Sequence, residues 1–213
     1  MKKFNIGWGL TNLCNMNCKF CYSKETREKS KDISIEDWKN FVNENYEQID
    51  SINYGTGENA ILDDFFYFIE YVREKYPNIT QSVTTNGYIS KRVLENHRFM
   101  EPKAYDWAIQ TLEILQKTNK KITIVFVGFE DTMNKKNIDG LFQIAKKYNA
   151  LLRLNIYRPV SEKEEINERF KLSYKTLNDT LKYINKKYKI IALSDALIGN
   201  LYTNDTNIVI SII

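Results

Sequence analysis

The sequence predicts an α/β protein, a partial (β/α)6 barrel of the TIM type with parallel strands inside and helices outside. Strand-like and helix-like segments alternate along nearly the whole chain, and repeated β–α units form parallel sheets. Polar residues follow several strands at their C-terminal ends, where barrels of this kind place their sites. A doubly wound sheet is the alternative arrangement of the same units.

The first half contains three strand-like segments, at residues 4–11, 51–55 and 82–85. A capping box formed by Ser34 and Asp37 predicts the start of a helix. That helix places three apolar residues on one face: Trp38, Phe41 and Val42. The next helix has apolar residues at the i, i+3, i+4, i+7 spacing: Phe65, Phe68, Ile69 and Val72.

The second half continues the alternation, with strands expected at 122–129 and 151–157 and candidate strands at 189–193 and 208–213. Apolar periodicity predicts helices around Leu112, Ile138 and Leu181. Residues 161–169 are expected to form a loop or the start of a charged helix. Because no linker interrupts the chain, we expect one barrel domain over 1–195. Residues 196–213 would be an extension or the truncated start of a further segment.

Composition excludes several classes of protein. The 213 residues include 31 Lys and Arg against 27 Asp and Glu, a net charge of +4, and the basic residues are not clustered as a nucleic-acid groove requires. No apolar run is long enough to span a membrane, and no apolar segment of a signal peptide follows Met1. We therefore expect a cytoplasmic protein without nucleic-acid or membrane partners.

The three cysteines of the chain, Cys14, Cys18 and Cys21, lie in one polar loop after the first strand with the spacing C-x3-C-x2-C. Thiolates are the usual ligands of iron–sulfur clusters. Three of them can hold three irons of a [4Fe–4S] cluster and leave the fourth open to a substrate or cofactor. The alternatives are a structural zinc site with His97, the single histidine, as fourth ligand, reduced core thiols, or a reactive thiol.

This loop, with Phe20 between the last two cysteines, resembles the radical S-adenosylmethionine (SAM) superfamily, and within it the SPASM-type branch of peptide and sulfatase maturases. The resemblance implies a [4Fe–4S] cluster on Cys14, Cys18 and Cys21 with SAM chelated at the open iron. It implies reductive cleavage of SAM to a 5′-deoxyadenosyl radical, which abstracts a hydrogen from the substrate. The implied partners are a peptide or small-protein substrate and an electron donor such as flavodoxin or ferredoxin.

The same resemblance assigns cofactor-binding residues. The segment Gly55-Thr56-Gly57-Glu58 is similar to the family's Gly-Gly-Glu motif, which meets the SAM amino group. Glycines allow close backbone approach, and a carboxylate can pair with an ammonium group. A plain glycine-rich turn is the alternative, and Asn59 stands where family members often have proline.

Further SAM contacts implied by the resemblance are Phe20 near the adenine, Thr85 and Asn86 after the third strand, and Arg98 at the SAM carboxylate. Asn155 is expected to contribute from the 151–157 strand, where alternation places it on one face with Arg153 and Tyr157. An ordinary turn is the alternative for Thr85 and Asn86, a surface role for Arg98, and a solvated or structural role for Asn155. His97 is expected to be structural. No catalytic residue is assigned beyond the cluster ligands.

Two departures from the family pattern stand out. The family's fourth strand is not recognisable between Gly87 and Tyr105, which predicts a barrel shortened by one strand or a missing internal segment near Asn96. No cysteines for auxiliary clusters follow Cys21. Two other functions are therefore kept: a truncated, non-catalytic homologue that binds a peptide or partner, and a structural zinc-binding domain.

Overall fold

The computed structural model describes residues 3–29, 31–87, 104–159, 163–188 and 192–193. These residues contain six strands, all of them in parallel pairs. The strands are β1 Phe4–Trp8, β2 Ile49–Tyr54, β3 Thr80–Val83, β4 Thr123–Gly128, β5 Leu151–Ile156 and β6 Ala192–Leu193. The helices are α1 Lys24–Glu28, α2 Ile35–Asn45, α3 Asp63–Lys75, α4 Ala104–Leu115, α5 Lys135–Lys147, α6 Glu164–Phe170 and α7 Tyr174–Tyr188.

The chain divides into two compact units, Met1–Thr111 and Leu112–Ile213. In the first unit the strands are ordered β1-β2-β3. One face of this sheet packs on α2 and α3 through a core rich in aromatic side chains. Its fully buried members include Trp38, Phe65 and Phe68. Ser34 caps α2, since its hydroxyl accepts from the Asp37 amide and the Asp37 carboxylate accepts from the Ser34 amide.

The opposite face of the first sheet is polar and built from small residues. The strand register forms two rows of neighbouring residues across this face. One row is Asn5, Ser51 and Thr80, and the other is Gly7, Asn53 and Ser82. Hydrogen bonds link these strands: Ser51 Oγ donates to Asn5 Oδ1 at 2.7 Å, and Asn53 Nδ2 donates to Ser82 Oγ at 2.8 Å. This face therefore offers hydroxyl and amide groups and no charged side chain.

The second unit has the strand order β4-β5-β6 and its own core. Leu154 of β5 packs with Ile138 of α5 and with Leu181 and Ile184 of α7. Alternation places Arg153 and Asn155 on the other face of β5, as predicted from the sequence.

Each unit carries a cluster of two tyrosines and a lysine around one acceptor. In the first unit, Asn43 Oδ1 of α2 accepts from the hydroxyls of Tyr71 and Tyr76, each at 2.6 Å, and from Lys75 Nζ at 3.1 Å.

In the second unit, Asp139 of α5 accepts from Tyr183, Lys187 and Tyr188. The Lys187 ammonium and the two tyrosine hydroxyls lower the pKa of Asp139 to about 2. Both clusters join the two helices that flank their sheet.

The alternating order of strands and helices follows the prediction, with differences at some ends. β1 stops at Trp8 rather than Thr11, and β3 covers 80–83, so that Thr84 and Thr85 follow it. Phe41 is 41% exposed although α2 buries Trp38 and Val42. The segment 161–169 was predicted to be a loop or the start of a charged helix, and the structure has the helix α6 at Glu164–Phe170.

Some sequence-based predictions concern residues outside the described ranges. These are the possible missing strand after Gly87, the candidate strand at 208–213, and the extension at 196–213; the domain division at residue 195 stays a prediction. In the described part of the chain, no helix is both long and apolar enough to cross a membrane.

Candidate functional site

The first three strands end at one edge of their sheet, and three motifs meet there. The cysteine loop follows β1, the Gly55–Glu58 turn follows β2, and Thr85-Asn86 follows β3. The ladder continues past the strand ends, since the Gly55 amide donates to Trp8 O at 3.0 Å and the Thr84 amide donates to Tyr54 O at 2.8 Å. Parallel pairing thus brings together residues that lie more than 70 positions apart in sequence.

The Gly55–Glu58 turn is bonded directly to the cysteine loop. The Glu58 amide donates to Leu13 O at 2.9 Å. Gly57 has a φ of +66°, and a Cβ added there would lie 2.6 Å from Leu13 O and 2.7 Å from Thr11 O. Only glycine fits this close approach. Thr56 also has a positive φ, 73°, an unfavourable backbone conformation for a β-branched residue.

The Glu58 carboxylate lies buried between this turn and the end of β3. Thr85 Oγ1 donates to the carboxylate at 3.0 Å, and the Asn86 amide donates to Oε2 at 2.8 Å. Burial raises the pKa of Glu58, and the hydrogen bonds from Asn86, Thr85 and Ala60 partly oppose that rise. A buried carboxylate without a cationic partner among the described side chains is suited to a cationic ligand.

All three cysteines are partly buried. Asn86 Nδ2 lies 3.9 Å from Cys14 Sγ and donates to Asn15 Oδ1 at 2.9 Å. At the other end of the loop, Cys21 Sγ lies 3.5 Å from Ser23 Oγ and 3.9 Å from Arg27 Nη2. Each outer cysteine therefore has a side-chain hydrogen-bonding group within 3.9 Å of its sulfur atom.

The electrostatics of the loop favour a thiolate at Cys21. Burial would raise the pKa of this thiol, but hydrogen bonds from Ser23 and Arg27 and the Arg27 charge outweigh burial and lower the pKa. A thiolate is the form that binds metal.

The donor set fits an iron–sulfur cluster. It supplies three thiols from one loop, and Asn15 Nδ2, next to Cys14, is buried without a hydrogen-bond partner among the described residues. Such a donor suits the sulfide or thiolate acceptors of a cluster. No group of three Cys, His, Asp or Glu side chains in the described part of the chain already forms a metal site, so the fit rests on the chemistry of the donors.

Several supporting residues were not found from the sequence. Asp32 accepts from Thr11 Oγ1, the Asn12 amide and Asn12 Nδ2, each at 2.7 Å. Asn59 stands where members of the family often have proline. Its Oδ1 accepts from the Leu10 amide at 3.3 Å and so holds the backbone just before the cysteine loop. These polar side chains lack a motif, and only their contacts identify them.

The remaining predicted cofactor contacts are Phe20, Asn155 and Arg98. Phe20 lies in the cysteine loop and is 36% exposed. Asn155 lies on β5 in the second unit. Arg98 and His97 lie outside the described residues.

Comparison with known families agrees with this geometry. The model of the radical SAM superfamily matches residues 8–113, which include the cysteine loop, the Gly55–Glu58 turn and Thr85-Asn86. This part of the chain, about half of its length, is a radical SAM domain. The radical SAM superfamily implies a [4Fe–4S] cluster and SAM as cofactors.

Among curated relatives, GTP 3′,8-cyclase of Aliarcobacter butzleri (strain RM4018) is 26% identical over 163 residues, which cover 73% of this chain and 47% of the relative. Among solved structures, Streptococcus suis SuiB bound to precursor peptide SuiA has a TM-score of 0.68 at 14% identity. SuiB bound to S-adenosylmethionine has a TM-score of 0.67 at 15% identity.

The alignments with SuiB cover 95% and 99% of this chain and 51% and 54% of the SuiB chains. The chain thus spans about half the length of these relatives. At such low sequence identity the agreement concerns the fold, and it confirms the predicted fold class.

Proposed function

We propose that the chain is a radical SAM enzyme that cleaves SAM reductively and abstracts a hydrogen atom from a peptide. The observation that carries this proposal is the meeting of the cysteine loop, the turn at Gly57 and the buried Glu58 carboxylate at one sheet edge. Structural zinc sites are usually closed by Cys and His ligands, and such a site would not need the glycine turn at Gly57.

In this proposal Cys14, Cys18 and Cys21 hold a [4Fe–4S] cluster through their thiolates. When bound, the cluster and SAM together supply a 5′-deoxyadenosyl radical, the species that abstracts hydrogen from the substrate. The hydrogen bond from the Glu58 amide to Leu13 O keeps the Gly55–Glu58 turn, the proposed SAM-binding turn, at a fixed position relative to the cysteine loop. Positioning of this kind is the protein's main contribution to cofactor chemistry.

Glu58 is proposed to pair with the SAM ammonium group. Thr85 and Asn86 hold its carboxylate in one orientation, and the glycines at 55 and 57 let the ligand approach the backbone. A nearby ammonium favours the ionised carboxylate and lowers the pKa that burial raises. Phe20, Arg98 and Asn155 are proposed as additional SAM contacts.

The peptide substrate is proposed from two observations. SuiB, which shares the fold, is described as bound to a precursor peptide. In addition, the polar face of the first sheet presents neutral amide and hydroxyl groups from Asn5, Ser51, Asn53 and Ser82. Such groups suit peptide amides, whereas the triphosphate of GTP needs several cationic partners. A low-potential donor such as flavodoxin or ferredoxin is proposed to reduce the cluster.

The test is anaerobic reconstitution with iron and sulfide, followed by metal analysis and by assay for 5′-deoxyadenosine under reductant. We expect about four irons per chain and SAM cleavage in the wild type. Cys18→Ala should lose both. Glu58→Gln should keep its iron and lose SAM binding, which separates the two roles. Bound zinc with intact SAM would instead establish a structural metal domain, and absence of any metal would establish a non-catalytic homologue.

The substrate class has a separate test. Excess GTP should leave the rate of 5′-deoxyadenosine formation unchanged. Acceleration by GTP, with GTP consumed, would overturn the peptide proposal in favour of nucleotide chemistry like that named for the Aliarcobacter butzleri relative.

A further inference from the structure

Arg27 on α1 reaches back to the cysteine loop with all three of its guanidinium nitrogens. Nη2 lies 3.9 Å from Cys21 Sγ, and Nε donates to Ser23 Oγ at 3.3 Å. Nη1 donates to the carbonyl oxygen of Asn12, two residues before Cys14. One side chain therefore joins the beginning and the end of the loop that carries the three thiols.

Within the described residues no carboxylate lies within ion-pairing distance of the Arg27 guanidinium. Asp32, an acid of this network, accepts from the amide of Asn12. The Asn12 peptide is thus held on both sides, by Asp32 at its N–H and by Arg27 at its carbonyl.

We propose that Arg27 is a positioning residue that sets the reduction potential of the cluster through Cys21. This inference rests on the proposed function, because it requires a cluster on the three thiols. It adds a role for a residue that lies outside the cysteine motif and the SAM-binding turn.

Reduction of the cluster adds one electron to it. A low-potential one-electron donor gives its electron to the cluster, whose net charge becomes more negative by one. A fixed positive charge beside a ligand sulfur, together with an N–H···S contact, stabilises that reduced form more than the oxidised form. Arg27 therefore makes the potential less negative and the first step of SAM cleavage easier for the donor.

The test is a redox titration of the reconstituted protein, in which the reduced cluster is measured by electron paramagnetic resonance. Arg27→Met should keep its iron and lower the reduced-to-oxidised ratio at a fixed solution potential about tenfold, which corresponds to 59 mV for a one-electron couple. Arg27→Lys keeps the positive charge but loses the planar guanidinium group with its several N–H donors. Its reduction potential should therefore lie between those of the wild type and Arg27→Met.

Lys24→Met is the matched control, because it removes one positive charge from the same helix without a contact to Cys21. Its potential should equal that of the wild type. Equal shifts in Lys24→Met and Arg27→Met would show a general charge effect and overturn the inference.

The remaining outcomes are also decisive. If the wild type takes up no iron, both the proposed function and this inference fail. If Arg27→Met holds iron with an unchanged potential, the inference fails and the proposed function stands. If Arg27→Met cannot hold iron, the redox titration is made on Ser23→Ala in its place. This variant removes the hydroxyl that contacts both Cys21 and Arg27. An unchanged potential in Ser23→Ala and Arg27→Lys would then overturn the inference.

Discussion

Gly57 is the residue on which the contact between the Gly55–Glu58 turn and the cysteine loop depends. An alanine there would need a positive φ and would place its Cβ against two carbonyl oxygens. We expect Gly57→Ala to lower the free energy of unfolding by about 1–3 kcal/mol. Urea denaturation followed by circular dichroism measures this change.

Gly140 is the matched control for that substitution. It lies inside α5 with an ordinary backbone conformation, and a Cβ added there meets no atom within 4 Å. Gly140→Ala should raise the free energy of unfolding by about 0.5–1 kcal/mol, because alanine loses less backbone freedom in a helix. Equal effects of the two substitutions would contradict the close approach at Gly57.

Glu58 predicts a specific dependence of stability on pH in the absence of ligands. Its pKa is raised in the folded protein by burial, so the unfolded chain releases this proton at lower pH. Above the ordinary pKa of glutamate the unfolded state binds fewer protons, and the contribution of Glu58 to the free energy of unfolding therefore falls as pH rises. The fall ends once pH exceeds the folded-state pKa.

Glu58→Gln tests this dependence, since glutamine keeps an oxygen that can accept from Thr85 and Asn86 and does not titrate. Urea denaturation between pH 4.5 and 7 should show a decline for the wild type that the variant lacks. A variant that declines as steeply as the wild type would show that other groups cause the dependence.

At the scale of single elements, the N-terminus of α2 depends on Ser34. Its hydroxyl accepts from the Asp37 amide at 3.2 Å in a reciprocal capping box. Ser34→Ala should lower the free energy of unfolding by about 1 kcal/mol, and Ser34→Asn, which retains an acceptor, should cost less. Thermal denaturation of the three proteins checks this order, and equal melting temperatures would show that the cap contributes nothing.

The sequence predicted elements well where one local pattern decides them. The capping box fixes the start of α2, and the spacing of Phe65, Phe68 and Val72 gives the buried face of α3. Strand ends were less well predicted: Leu10 and Thr11 are apolar or β-branched, yet they leave the ladder to begin the cysteine loop. Phe41 matches the helical pattern but lies at the edge of the core, where its ring meets Trp8 edge-on.

The candidate site was predictable only in its motif residues. Cys14, Gly57 and Glu58 belong to recognisable patterns with a stated chemistry. Arg27 and Asp32 act through contacts to the Asn12 backbone, and no sequence pattern reports the position of a carbonyl or an amide. The raised pKa of Glu58 likewise follows from burial that only tertiary packing produces.

At the scale of the whole molecule, each unit has a core that can be tested separately. Phe68 is fully buried and contacts Trp8, Trp38 and Tyr54 edge-on. Phe68→Ala should cost about 3–5 kcal/mol and should accelerate amide hydrogen exchange in β2. Leu154→Ala in the second core should cost about 2–5 kcal/mol and accelerate exchange in β5. Unchanged exchange in the strand next to either substitution would contradict the assigned core.

The clusters at Asn43 and Asp139 match each other contact by contact. Both units contain the order β-α-β-α-β, apart from the additional helices α1 and α6, and both clusters use the pattern Tyr-x-x-x-Lys-Tyr, at 71–76 and at 183–188. The two units can therefore be aligned with each other through these tyrosines. A substitution in one cluster then has an internal counterpart in the other, against which its effect can be measured within the same molecule.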